Sequence, residues 1–211
     1  MKKIYLIALI SLLSVVSIQI VAQEVPPDKR SVWFTDVQKG FLVISGDISA
    51  IKGQKTLNIS ISKRIQKMGT KYQPDSVFIA NRVKEFNDEK PGKGDKWLEE
   101  WNKEKNNFNT VFIEGFNKIT AKSGIKVSLN DPSVEYTCLI TTKHLMAYFG
   151  KIYVILDMDV VKTNDPSIIV ATVRFPVVCG PLKPKSHQEK NESAYYTAGL
   201  TFGRYYNKQA K

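Results

Sequence analysis

Asp157 and Asp159 come nearest, by type and spacing, to a pair that could do chemistry. They alternate with Leu156, Met158 and Val160, so on a strand both carboxylates leave the same face. Two carboxylates so placed could hold Ca²⁺ or act as an acid–base pair. The stretches Lys151–Lys162 and Ser167–Val178 are rich in Val and Ile and joined by Thr163-Asn164-Asp165-Pro166, which predicts an antiparallel hairpin. Its register sets Arg174 nearly opposite, so a cross-strand ion pair is the simpler account. Asp157, Asp159 and Arg174 are therefore candidate interaction residues, and no catalytic residue is assigned.

The remaining reactive groups are sparse. Nucleophilic catalysis needs a Ser, Cys or Thr beside a base, and only His144 and His187 are on offer. Neither sits near a GxSxG elbow, and both read as surface histidines. Two His and two Cys, with no CxxC, HxxxH or HExxH, give no metal site and no cofactor. Gly92-Lys93-Gly94 resembles a phosphate cradle before a helix, but it lacks the Walker spacing, and Asp95 sets a carboxylate where an anion would dock. A helix–helix turn is the expectation there. Gly199 and Gly203 stand four apart on a helix too polar to span a membrane, which predicts close packing onto the sheet. Among Trp97, Trp101, Tyr195, Tyr196, Tyr205 and Tyr206, some must be core, and Tyr205 or Tyr206 is the expected exposed anchor for a partner.

These residues need a scaffold. Val32–Val37, Gly40–Ser49 and Lys55–Lys63 read as strands, the clearest being the period-two run Leu57–Ser62. From Pro74 the period changes to a helix ending near Asn87, with Val77, Ile79, Val83 and Phe86 mostly on one side. Asp95 is placed to N-cap a longer helix carrying Trp97, Trp101, Phe108, Phe112, Phe116 and Ile119, closed by Gly124. Strands Ile125–Leu129 and Val134–His144 precede the hairpin, whose inward residues are Ile152, Val154, Leu156, Met158 and Val160, and Ile169, Ala171, Val173, Phe175 and Val177. Cys179–Lys190 is a Pro- and Lys-containing loop, and Asn191–Lys208 a closing helix with a strand as the competing assignment. With Lys151–Lys162 in the middle of a meander, Cys138 and Cys179 lie at opposite ends of the sheet, too far apart for a disulfide.

Several stretches, "EFNDEKPGKGDKWLEEW" (Glu85–Trp101), "FIEGFNKITAKSGIKV" (Phe112–Val127), "EYTCLITTKH" (Glu135–His144) and "YYTAGLTFGRYY" (Tyr195–Tyr206), carry a resemblance. They are similar to a family of exported Bacteroidetes proteins, itself similar in fold to the amino-terminal domain of TolB, an anticodon-binding-domain-like α+β sandwich. The resemblance implies that fold and a cell-envelope address, and it brings no catalytic residue. Leu145–Gly150 departs from the family pattern, so any role of that loop is not carried over.

The chain start agrees with that address. Lys2 and Lys3 precede an apolar run from Ile4 to Ile20, and Ile20-Val21-Ala22 offers a small-residue cut before Gln23, the make-up of a cleaved secretory signal. No Cys lies at the cut, which removes the lipid-anchored form. Residues 23–211 suit a single domain with a short flexible N-terminal arm around Pro26 and Pro27. The full chain carries +11, and the signal holds two Lys and no acid, so the mature part carries +9. The basic residues are scattered rather than clustered, which argues against nucleic acid.

The expected protein is thus an α+β single domain, a mixed, mainly antiparallel sheet with helices packed on one face. It is exported to the periplasm or beyond, is not an enzyme, and binds an envelope protein or itself. The alternative is a binder of an anionic envelope ligand, such as lipopolysaccharide, an acidic glycan or a lipid surface.

Overall fold

The computed structural model describes residues 41–129, 131–148, 150–179 and 187–209. The signal segment, the Pro26-Pro27 arm, the Val32–Val37 strand and most of the loop after Cys179 lie outside the described residues.

The fold is α+β. Six strands form one sheet in the order β1-β6-β5-β4-β2-β3. They are β1 (Leu42–Gly46), β2 (Thr56–Met68), β3 (Lys126–Ser128), β4 (Tyr136–Tyr148), β5 (Lys151–Lys162) and β6 (Asp165–Cys179). The β4-β5-β6 meander is antiparallel and β1 joins it antiparallel to β6, while β2 runs parallel to both β4 and β3. Three helices complete the described fold: α1 (Asp75–Glu89), α2 (Lys93–Thr120) and α3 (His187–Gln209).

Period two governs the meander. Val154, Leu156, Met158 and Val160 are fully buried beneath α2 and α3, with Ala171, Val173 and Phe175 beside them. Ile169 does not join them and is 54% exposed. The β5–β6 register slips between Val160 and Val161, so Ala171 pairs Val160 while Ile169 pairs Val161. One extra residue in a ladder moves everything beyond it to the other face.

The helices follow their apolar stripes. Trp101, Phe108, Phe112 and Phe116 of α2 are buried, as are Tyr195, Ala198, Phe202 and Tyr206 of α3, so helix is the correct assignment for the C-terminal segment. The two helices touch backbone to backbone. A Cβ on Gly115 would lie 2.1 Å from the Tyr196 carbonyl oxygen, and one on Gly199 would lie 2.0 Å from that of Phe112. Gly199 and Gly203 therefore serve the helix–helix contact, not the expected helix–sheet contact.

The turn before α2 also differs from expectation. The helix starts at Lys93, with Gly92 at its N-cap in the left-handed region (φ 79°), and Asp95 sits inside the first turn. The Gly94 N–H is instead taken by Asn87 Oδ1 of α1 at 2.7 Å. Gly94 lies so close to α1 that a Cβ would meet the Val83 carbonyl oxygen at 2.2 Å. In α1 itself Val77 points to solvent, and Phe78 and Ile79 pack toward the core.

Candidate functional site

Both packed helices lie on one side of the sheet, and no described helix covers the other face, where Tyr153 (9% exposed) and the Asp157 side chain (15%) are nevertheless largely buried. Antiparallel sheets tolerate this when the open face carries polar groups. Here the polar groups form a row across four strands.

Asp157 pairs in register with Arg174 on β6 and with Thr141 on β4. Arg174 Nε donates to Asp157 Oδ1 at 2.7 Å and Nη2 donates to Oδ2 at 2.9 Å, a two-pronged fork. Lys143 Nζ approaches the same carboxylate at 3.9 Å. Asp159 pairs with Thr172, whose hydroxyl donates to its Oδ1 at 2.7 Å. The expected cross-strand ion pair is thus present, and both carboxylates are engaged by neighbours on β6. Among the described residues no group of three or more His, Cys, Asp or Glu side chains is arranged to hold a metal ion.

Two neighbouring bulges extend this row toward β2. Register shifts between Thr142 and His144 on β4, leaving Lys143 without an opposite residue on β5. It shifts again between Ile61 and Ile65 on β2, taking Ser62, Lys63 and Arg64 out of the ladder. Bulges re-aim side chains. The broken ladder is repaired locally: Ile61 N–H donates to Asn109 Oδ1 of α2 at 2.7 Å, and Arg64 N–H donates to Ser62 Oγ at 3.2 Å. The result is an open groove of about 460 Å³ lined by Ser62, Arg64, Gln66, Lys67, Thr141 and Pro74. Sequence reasoning misses it because it ends β2 at Lys63. The signal lies in Lys63-Arg64-Ile65-Gln66-Lys67, where buried Ile65 keeps the strand going between basic residues.

The other candidates fall into structural roles. His144 is no surface residue: it is 1% exposed, under the turn that follows β2. A carbonyl only accepts, so the ring donates Nε2–H to the Gly69 oxygen at 2.8 Å, and Tyr72, at φ 56°, lays its ring 4.1 Å from the imidazole. Burial pushes the His144 pKa down to about 4, which keeps the ring neutral. Cys138 is free and buried, opposite Val160, while Cys179 is opposite Ile152 at the far end of β5. Burial pushes the Cys138 thiol up to about 12. The side chains of Cys179 and His187 lie outside the described residues.

Tyr206 is not an exposed anchor either. It is 2% exposed, and its hydroxyl points at the carbonyl oxygens of Ile51 (2.9 Å) and Gln54 (2.5 Å). Its position on the buried stripe of α3 decides this. Tyr205, the half-buried neighbour, stacks on Phe41 with centroids 4.1 Å apart. In the Gly92-Lys93-Gly94 turn the Lys93 ammonium pairs with Glu89 and lies over Phe86, so the helix–helix turn is what is found.

One buried acid gives no signal in the sequence. Glu104 of α2 is 4% exposed, and burial, with Glu192 nearby, raises its pKa to about 8, despite a hydrogen bond with Asn191.

No family model matches this chain, and no curated protein matches it. Among solved structures, the PelC dodecamer from Paraburkholderia phytofirmans is similar over 76% of this chain and 96% of its own, at 7% identity and a TM-score of 0.37. A single-substitution variant of that protein is similar over 77% and 95%, at 6% identity and a TM-score of 0.36. Likeness at that level bears on neither fold nor function.

Proposed function

We propose that this protein is an exported, non-enzymatic component of the cell envelope that works as a binding module through the uncovered face of its sheet. The observation that carries the reading is the Arg174–Asp157 fork. It ties up the carboxylate that the sequence singles out for chemistry and makes it part of a fixed polar surface. The signal-like start and the resemblance to exported TolB-like domains supply the address. The partner is an envelope protein or a second copy of this chain.

The test is site-specific photocrosslinking from Thr141 and Thr172 on the open face, with Lys122 beyond the end of α2 as control. The mature protein is mixed with envelope extract at low and high salt. A single salt-resistant protein adduct from the open face alone is the expected result. Adducts only from Lys122, or none at all, would move the contact elsewhere. A hydrolytic activity that disappears in Asp157→Asn would overturn the non-enzymatic reading.

A further inference from the structure

The groove beside the β2 bulge has an unusual lining. Its polar residues bring donors: the Arg64 guanidinium, the Lys67 ammonium, the Gln66 amide and the Ser62 and Thr141 hydroxyls. None of the lining residues is acidic. Asp157, on the neighbouring strand, is held by Arg174, and Asp75, the residue after Pro74, accepts from Ser76 N–H at 2.8 Å. Among the described residues the side chains of Arg64, Gln66, Lys67 and Thr141 have no hydrogen-bond or ion-pair partner. Two such cations, Arg64 and Lys67, are gathered by the fold into one concavity.

From this geometry we infer that the groove is a binding site for a phosphate monoester carried on a polar body. A tetrahedral dianion accepts from more donors than a carboxylate can, and a guanidinium fork beside an ammonium suits it. A volume of about 460 Å³ is in the range of small-molecule sites and leaves room beyond the phosphate. Pro74 is the only wholly apolar side chain in the lining, so that extra room favours a polyol or sugar over an acyl chain. The inference gives a chemical class to the anionic-ligand alternative drawn from the net charge. It stands on the groove alone, so it holds whether or not the crosslinking partner is found.

The experiment uses purified mature protein and three probes. Inorganic phosphate and glucose 1-phosphate are titrated by calorimetry, and phosphatidylcholine vesicles are floated with and without phosphatidic acid. Saturable binding is expected, weakened about tenfold or more by Arg64→Gln and again by Lys67→Gln. Lys122→Gln and Lys126→Gln, which remove the same charge elsewhere, should leave it unchanged. Tighter binding of glucose 1-phosphate than of phosphate points to a soluble sugar phosphate. Retention on phosphatidic acid vesicles alone points to a lipid headgroup. No saturable binding of any probe, or equal weakening by the control substitutions, would overturn the site. A circular dichroism spectrum for each variant separates lost binding from lost fold.

Discussion

Gly115 and Gly199 meet across the α2–α3 contact, each lying against a backbone carbonyl of the other helix. That reciprocal approach lets Phe112, Phe116 and Phe202 interleave in one layer over the sheet. Alanine ordinarily favours a helix over glycine by about 1 kcal/mol. Here the added methyl has nowhere to go. Gly115→Ala and Gly199→Ala should each destabilise by about 1–3 kcal/mol net, read from urea midpoints. The double variant should cost less than the sum, because one helix displacement relieves both clashes. Either single variant melting at or above the parent temperature would contradict the contact.

Tyr206 ties α3 to the segment that leads into β2, with its hydroxyl between the Ile51 and Gln54 carbonyls. Tyr206→Phe keeps the ring against Phe116 and Phe202 but leaves buried acceptors without their donor. A loss of about 1–2 kcal/mol is expected. Hydrogen exchange should show faster opening of residues 48–54 specifically.

Two buried groups pull stability in opposite directions with pH. His144 titrates near 4 in the fold against an ordinary 6.5. As pH falls from 6.5 to 4 the unfolded chain takes up a proton that the fold refuses, so stability declines through that window. Glu104 titrates near 8 against an ordinary 4.5. As pH rises from 4.5 to 8 the unfolded chain has released a proton that the fold retains, so stability declines there too. At full extent the His144 contribution is about 3 kcal/mol and the Glu104 contribution about 5 kcal/mol. Stability should therefore peak between about pH 4.5 and 6.5, where the two slopes offset. Glu104→Gln should remove the alkaline decline and His144→Asn the acid one. A urea midpoint in the parent protein that does not change between pH 4 and 8 would discard both.

Cys138 should be chemically silent in the fold. In a Cys179→Ser background, iodoacetamide at pH 8 should label nothing until urea unfolds the protein, because the Cys138 thiol is both buried and held protonated. Native-state labelling at the unfolded rate would mean that β4 opens.

Local pattern carries most of the fold into view. The alternation of β5 and β6 across a short turn brings Asp157 near Arg174, and the two register shifts between Val160 and Lys162 make the pairing direct. The α2 stripe and the glycine after its end are legible for the same reason. What escapes are features set by distant neighbours. Asn87, not Asp95, serves the start of α2, since α1 happens to lie there. His144 is buried because the Gly69–Gln73 turn folds over it, which strand periodicity does not encode. Bulges are invisible too, and they turn Ile169 outward and Arg64 into the groove. The candidate site is half legible: pattern finds the carboxylates and Arg174 but not the basic lining of β2.

The sheet order has a kinetic consequence. Among the described strands β1 and β2 come first, yet β1 pairs only with β6, and β2 only with β3 and β4. The contact of Asn58 with Thr137 spans 79 residues of chain, whereas β4, β5 and β6 follow one another through tight turns. Loop closure makes such distant pairings slow, so the meander should form first and receive β1 and β2 on its two flanks. Until the second half of the chain is present, Leu57, Ile59 and Ile61 have no sheet to enter. In a chain delivered amino-terminus first, β2 emerges before its partners, and Leu57, Ile59 and Ile61 are what a holding chaperone would need to cover.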